Sequence, residues 1–184
     1  MSVLMAAVRG LKTTAERKNA LLRHIWRPRR FLFLLERYAG ISSPPESRRQ
    51  LLAATDRSLK SESIIGLRSA AEIEDRLMRL RDDARAAPIS KTELDLLTGI
   101  IRLHDTYPKI LAKLREFSVE LPAISVAIKR VERRLQEIEK RGIDTDRLRF
   151  KASYGRTSME YYDGFVFGFY KSSGTDFSLV ATGG

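Results

Sequence analysis

The sequence predicts an α+β fold in which a helical region precedes a short antiparallel sheet. Four Ser/Thr-x-x-Glu segments, which begin at residues 13, 43, 69 and 90, have the spacing of capping boxes and indicate several helix starts. After residue 147 the apolar residues alternate as in strands. We therefore expect residues 1–142 to be mostly helical and residues 143–184 to form part of a sheet.

Proline and glycine residues divide the helical region. Pro28 should interrupt the first helical run, because proline lacks the N–H group and its ring clashes with the preceding turn. Gly40 is expected to end the next helix, and Pro44 is expected at the first helical position of another. Gly142, which follows Arg141, should end the last helix.

Three apolar patterns indicate how the later helices pack. A single stripe, with i,i+4 charge pairs Glu72–Arg76 and Asp75–Arg79 on the outer surface, is formed by Ile73, Leu77 and Leu80. A face too broad for a surface helix is formed by Leu94, Leu96, Leu97, Ile100, Ile101 and Leu103. A stripe with 3-4 spacing, in a helix that should start near Pro122, is formed by Leu121, Ile124, Ile128, Val131, Leu135 and Ile138.

Three strands are expected at residues 148–154, 161–170 and 177–181, with a hairpin turn at 172–174. In the second strand, alternation places Phe165, Phe167 and Phe169 on a face that is typical of a core. The opposite face carries Gly164 and Gly168, and a strand glycine often marks close approach of a ligand or of another backbone. That face is therefore either a ligand floor or the site of a bulge or a crowded neighbour.

The net charge of +11 is concentrated near the start of the chain. Residues 1–37 hold nine Lys/Arg and two Glu, which is +7 of the +11. Such a basic arm fits phosphate binding, but a solvated face or a segment that docks on acidic parts of a longer protein accounts for it at least as well. Because the sequence has no nucleic-acid-binding motif, we do not expect nucleic-acid binding.

The sequence offers little for catalysis, for metal binding or for membrane insertion. It has no cysteine, and His24 and His104 do not have the spacing of metal ligands. No signal peptide and no membrane-spanning segment is recognisable, so we expect a soluble cytoplasmic protein. No catalytic residue, metal or cofactor is predicted.

Three segments resemble a known family. Arg156, Glu160-Tyr161-Tyr162, Gly164 and Val166-Phe167 resemble the histidine-binding signature of histidyl-tRNA synthetases and their non-catalytic relatives. Thr182-Gly183-Gly184 resembles the start of the next motif of that family, Gly-Gly-Arg-Tyr-Asp, which this chain does not complete. Residues 22–31 are similar to a helical segment of the regulatory subunit of ATP phosphoribosyltransferase, which has no synthetase activity.

The resemblance implies part of a class II aminoacyl-tRNA synthetase-like antiparallel sheet, truncated at its C-terminal end. It implies a non-catalytic subunit that assembles with the catalytic ATP phosphoribosyltransferase chain, at the first step of histidine biosynthesis, and carries feedback by histidine. The histidine-binding residues would be Arg156, Tyr161, Tyr162 and Gly164. The alternative is a fragment of a catalytic histidyl-tRNA synthetase. Two departures favour the regulator: Gly168 replaces the Glu of the synthetases, and Arg156 is shifted by one position.

Overall fold

The computed structural model describes residues 2–53, 70–154, 166–173 and 176–184. In these ranges the chain has mixed α+β structure, with eight α-helices and two small antiparallel sheets. The predicted α+β class is therefore confirmed. The helices are α1 Ser2–Gly10, α2 Ala15–Arg23, α3 Pro28–Tyr38, α4 Glu46–Ala53, α5 Ala70–Arg85, α6 Lys91–Arg102, α7 Tyr107–Glu120 and α8 Ser125–Glu139. The strands are β1 His104–Thr106, β2 Arg149–Lys151, β3 Phe167–Ser173 and β4 Asp176–Gly183.

Two of the predicted capping boxes can be compared with the structure in detail. At α6 the prediction is confirmed, because the Ser90 hydroxyl accepts from the Glu93 N–H at 3.2 Å and the Glu93 carboxylate accepts from the Ser90 N–H at 3.2 Å. At α2 the prediction is wrong by one residue. The cap is Thr14, whose hydroxyl accepts from the Arg17 N–H at 3.3 Å, because burial of Arg17 and Leu21 sets the helix register.

The predicted breaks at proline and glycine are largely confirmed. Pro28 is the first residue of α3, and Gly40 follows that helix with a φ of +75°. Gly142 has a φ of +73° just beyond α8, as expected for a glycine that ends a helix. Pro44 is an exception, since α4 begins at Glu46.

The hydrophobic core lies among α1, α2, α3, α6, α7 and α8. The predicted broad face of α6 is buried, and so is most of the predicted stripe of α8, which is preceded by a 3₁₀ turn at Pro122–Ile124. Close packing here depends on Gly10, where an added Cβ would lie 2.5 Å from the Cβ of Ala123. The largest fully buried side chains are Leu4, Val8, Leu11, Leu21, Phe31, Leu35, Leu97, Ile110, Leu114 and Ile124.

Helix α5 is attached differently from the core helices. None of its described side chains, at residues 71–85, is buried. In the predicted stripe Ile73 is 38% exposed, while Leu77 and Leu80 are half-buried. The predicted pair of Asp75 with Arg79 is present at 2.6 Å. The stripe is therefore not part of the core described here.

A buried arginine joins the C-terminal end of α5 to the helical body. Arg17 is 6% exposed, and its Nε and Nη2 donate to the Asp83 carboxylate and backbone carbonyl, both at 2.6 Å. Its Nη1 donates to the Ala87 carbonyl at 2.8 Å, and the guanidinium lies 5.0 Å from the Tyr38 ring centre. Arg48 of α4 pairs with the second oxygen of Asp83. No local pattern in the sequence indicates this network.

Burial of Asp83 would by itself raise the pKa of its carboxyl group. The hydrogen bonds and charges of Arg17 and Arg48 outweigh that effect and hold the pKa below its ordinary value. Asp83 is therefore a carboxylate at neutral pH, and three helices depend on its charge.

The first sheet pairs β1 with β2, with His104 opposite Lys151 and Thr106 opposite Arg149. Strand β1 lies inside the region 1–142 that was predicted to be mostly helical, and the strand predicted at 148–154 is shorter than expected. The pairing is extended by a hydrogen bond from the Ala152 N–H to the Leu103 carbonyl at 2.9 Å. This strand pairing connects the residues after α8 to the helical body.

The second sheet is a hairpin of β3 and β4, which confirms that the last two strands pair antiparallel. The register runs from Phe167 opposite Gly183 to Ser173 opposite Asp176, with an irregularity between Phe169 and Tyr170. Of the turn predicted at 172–174, residues 172 and 173 belong to β3, and residue 174 lies outside the described residues. In the described ranges the strands form two separate pairs and not one three-stranded sheet.

Candidate functional site

The candidate site is the hairpin of β3 and β4, whose strands carry parts of both family-like motifs. Four predicted histidine-binding residues, Arg156, Tyr161, Tyr162 and Gly164, lie outside the described residues. The structure does show the continuation of the first motif from Val166. The site is therefore built here from β3, β4 and the side chain that lies against them.

The glycine face of β3 is occupied at Gly168 by a side chain of the same chain. A Cβ at this position would lie 2.0 Å from the hydroxyl oxygen of Tyr154 and 2.9 Å from its Cζ. Burial, followed by a hydrogen bond with Tyr170, raises the pKa of the Tyr154 hydroxyl. At Gly168 the structure thus shows a crowded neighbour, one of the two explanations that the sequence left open.

The opposite face of β3 is not the core that the alternation predicted. Phe167 is 39% exposed and Phe169 is 63% exposed, and their rings meet edge to face at 5.6 Å. The ring of Phe167 lies against Gly183, where an added Cβ would be 2.7 Å from it. An apolar face of a two-stranded ribbon is buried only if a second layer covers it. Among the described residues these two rings remain largely on the surface.

The hairpin register brings the two family-like motifs side by side. Phe167 of the first motif lies opposite Gly183 of the second, and Gly168 lies opposite Thr182. The predicted hairpin between these strands implied such a pairing, and the register shows which residues of the two motifs are adjacent. Opposite residues of an antiparallel pair have Cα atoms only about 4.5–5.5 Å apart, so the two motifs adjoin each other at these positions.

Other candidate groups are sparse in the described part of the chain. There, no cluster of three His, Asp or Glu side chains could hold a metal ion. Burial, followed by the charges of Arg30, Arg27 and Arg23, lowers the pKa of His24, which is therefore neutral at pH 7. An open cavity of about 520 Å³ lies beside Lys12 and Lys18.

No protein-family model matches this chain, and comparison with curated proteins and with solved structures gave no significant similarity. The resemblance to the histidyl-tRNA synthetase-like family therefore rests on the motif residues alone. In the described ranges, no helix has the length and the apolar character needed to cross a membrane.

The contact of Tyr154 with Gly168 gives a direct test. Gly168→Ala should push Tyr154 off the strand, because the new methyl group needs the space of the hydroxyl. The pKa of Tyr154 should then fall towards its ordinary value, since burial and the Tyr170 hydrogen bond are both reduced. Ultraviolet titration of the tyrosines measures this shift, and the Tyr154→Phe variant shows which part of the titration curve belongs to Tyr154. An unchanged titration curve in Gly168→Ala would contradict the contact.

Proposed function

We propose that this chain is the histidine-sensing regulatory subunit of ATP phosphoribosyltransferase, acting in the cytoplasm at the first step of histidine biosynthesis. Its hairpin would belong to a class II aminoacyl-tRNA synthetase-like antiparallel sheet. The observation that carries the proposal is the register that pairs Phe167 with Gly183 and Gly168 with Thr182. A ligand pocket made from two motifs needs them on neighbouring strands, and this register supplies that arrangement.

The contact at Gly168 supports a non-catalytic protein over a catalytic synthetase. The synthetases have Glu at the position of Gly168, and that side chain would start in the space that the Tyr154 hydroxyl fills. A glutamate would fit only if Tyr154 moved and lost its hydrogen bond with Tyr170. The absence of a side chain at Gly168 therefore makes room for Tyr154, and this position lacks the carboxylate of the synthetase pattern.

Within the proposed pocket, each motif residue has a role that follows from its chemistry. The phenol of Tyr162 can donate to or accept from an imidazole nitrogen. Arg156 can bind the ligand carboxylate through charge-assisted hydrogen bonds. Tyr161 would support the pocket wall, and Gly164 would leave room for the ligand. The catalytic ATP phosphoribosyltransferase chain is the proposed partner, and histidine binding would be transmitted to it.

Histidine binding measured by calorimetry tests the proposal. Tyr162→Phe should weaken histidine binding roughly 5- to 150-fold, because loss of one hydrogen bond in a desolvated pocket costs about 1–3 kcal/mol. Gly164→Val should weaken binding further by filling the pocket. Both variants should still assemble with the catalytic chain.

The matched control is Tyr107→Phe, which also removes one phenolic oxygen. Tyr107 lies in the helical core and its buried hydroxyl has no hydrogen-bond partner in the described structure, so this variant should bind histidine as the wild type does. The proposal fails if the wild-type protein does not bind histidine, or if Tyr162→Phe and Gly164→Val leave the affinity unchanged.

A further inference from the structure

The corner between α2 and α3 concentrates positive charge. It carries Arg23, Arg27, Arg29 and Arg30, called the arginine corner below, and all four side chains are exposed. No Asp or Glu occurs from residue 17 to residue 35. The corner is therefore a compact cationic surface within a chain whose remaining surface mixes both charges.

The charges of this corner are opposite in sign to those that stabilise the N-terminus of α3. The first turn of α3 has no acidic residue, its N-cap is Arg27, and no side chain caps its free N–H groups. The N-terminus of a helix carries partial positive charge and is stabilised by anions. Four other described helices follow that preference, with Glu16, Glu46, Glu72 and Glu93 in their first turns, whereas α1, α7 and α8 have no acidic residue there. Helix stability therefore does not explain the arginines at α3.

The described part of the chain does not neutralise the corner. Arg17 and Arg48 share Asp83, and Arg115 pairs with Glu132, whereas none of the four corner arginines has a carboxylate within ion-pair distance among the described residues. Like charges at one helix junction repel one another, and a bound anion would reduce that repulsion.

The composition of the corner favours a protein partner over a nucleic acid. The four arginines lie at one helix junction, whereas a nucleic-acid backbone presents phosphates over a longer track. Base stacking needs an open aromatic face, but Trp26 and Phe33 are half-buried, and the Arg30 guanidinium already lies 5.4 Å from the centre of the Phe33 ring. Arginine beside half-buried aromatic residues is the composition typical of protein interfaces.

We propose that the arginine corner is a docking surface for an acidic segment of a partner protein. The planar guanidinium groups would bind its carboxylates in bidentate pairs, and the free N–H groups at the start of α3 would donate hydrogen bonds to a further carboxylate. Trp26 and Phe33 would supply apolar contact beside the charges. This inference does not depend on histidine binding.

An oligoglutamate peptide with a fluorescent label is the probe, and anisotropy at moderate ionic strength measures its binding. The test variant is Arg27→Glu with Arg30→Glu, and the control is Lys129→Glu with Arg130→Glu, which changes the net charge equally at exposed positions of α8. We expect the test variant to bind the peptide at least about tenfold more weakly, and the control to change binding less than about threefold. Glutamate suits the first turn of a helix, so the test variant should fold.

Three results would overturn the inference. The first is a wild-type protein that does not bind the peptide. The second is an equal loss of binding in both variants, because net charge alone would then explain the affinity. The third is tighter binding of a single-stranded RNA oligonucleotide that displaces the peptide and requires the same arginines, which would assign the corner to nucleic acid.

Discussion

Replacing Phe31 by Ala should lower the free energy of unfolding by about 3–5 kcal/mol. The Phe31 side chain is fully buried among the helices, so truncation removes apolar burial and leaves a cavity. The matched control is Phe177→Ala in β4, where the ring is 70% exposed, and the expected change there is within about 0.5 kcal/mol. Urea unfolding followed by helical circular dichroism measures both.

The comparison also tests where the cooperative core lies. If Phe177→Ala cost as much as Phe31→Ala, the hairpin would be buried against the helical body, contrary to the exposure of its side chains. A cost below about 1 kcal/mol for Phe31→Ala would show that α3 is not anchored in the core as described.

The parts of the fold that the sequence predicted are those set by local chemistry. Ser90 and Glu93 satisfy each other's backbone groups within one turn, so their spacing alone locates the start of α6. Pro28 and Gly40 act through the backbone conformations that they permit. The broad apolar face of α6 predicted a buried helix, because that many apolar residues cannot be left in water.

The parts that the sequence did not predict depend on distant partners. Strand β1 has the polar sequence His104-Asp105-Thr106 and no apolar alternation, so only its backbone pairing with β2 makes it a strand. From its residue type, Arg17 would be expected on the surface. Its burial depends on pairing with Asp83, which is 66 residues away in sequence. Helix signals near a residue cannot reveal such a partner.

In the candidate site, too, local features were predicted and distant partners were not. A glycine in an aromatic strand predicted close approach at Gly168, and a close neighbour is present there. The identity of that neighbour, Tyr154, depends on how the chain turns between β2 and β3, which no local spacing encodes. The exposure of Phe167 and Phe169 was missed because alternation identifies an apolar face but not the layer that would cover it.

Arg17→Met should lower the free energy of unfolding by roughly 2–4 kcal/mol. The variant keeps much of the buried volume but leaves the Ala87 and Asp83 carbonyls without their donor, and Asp83 keeps only Arg48. The matched control is Arg79→Met in α5, the helix that carries Asp83. This variant breaks the exposed pair with Asp75 and should cost less than about 0.5 kcal/mol. Equal costs for the two variants would contradict the network.

The cost of Arg17→Met should also depend on pH through Asp83. Because the folded pKa of Asp83 is lowered, its carboxylate adds stability above the pKa of the unfolded state, about 3.9. This stability is lost as the pH falls through the folded pKa. In Arg17→Met the pKa is lowered less, so the gap between wild type and variant should be widest near pH 7 and narrow below about pH 4. It should not vanish, since the hydrogen bonds to the carbonyls do not titrate. Urea unfolding at a series of pH values measures the gap, and a gap that is constant with pH would show that Arg17 acts through the carbonyls and the Tyr38 ring and not through the ion pair.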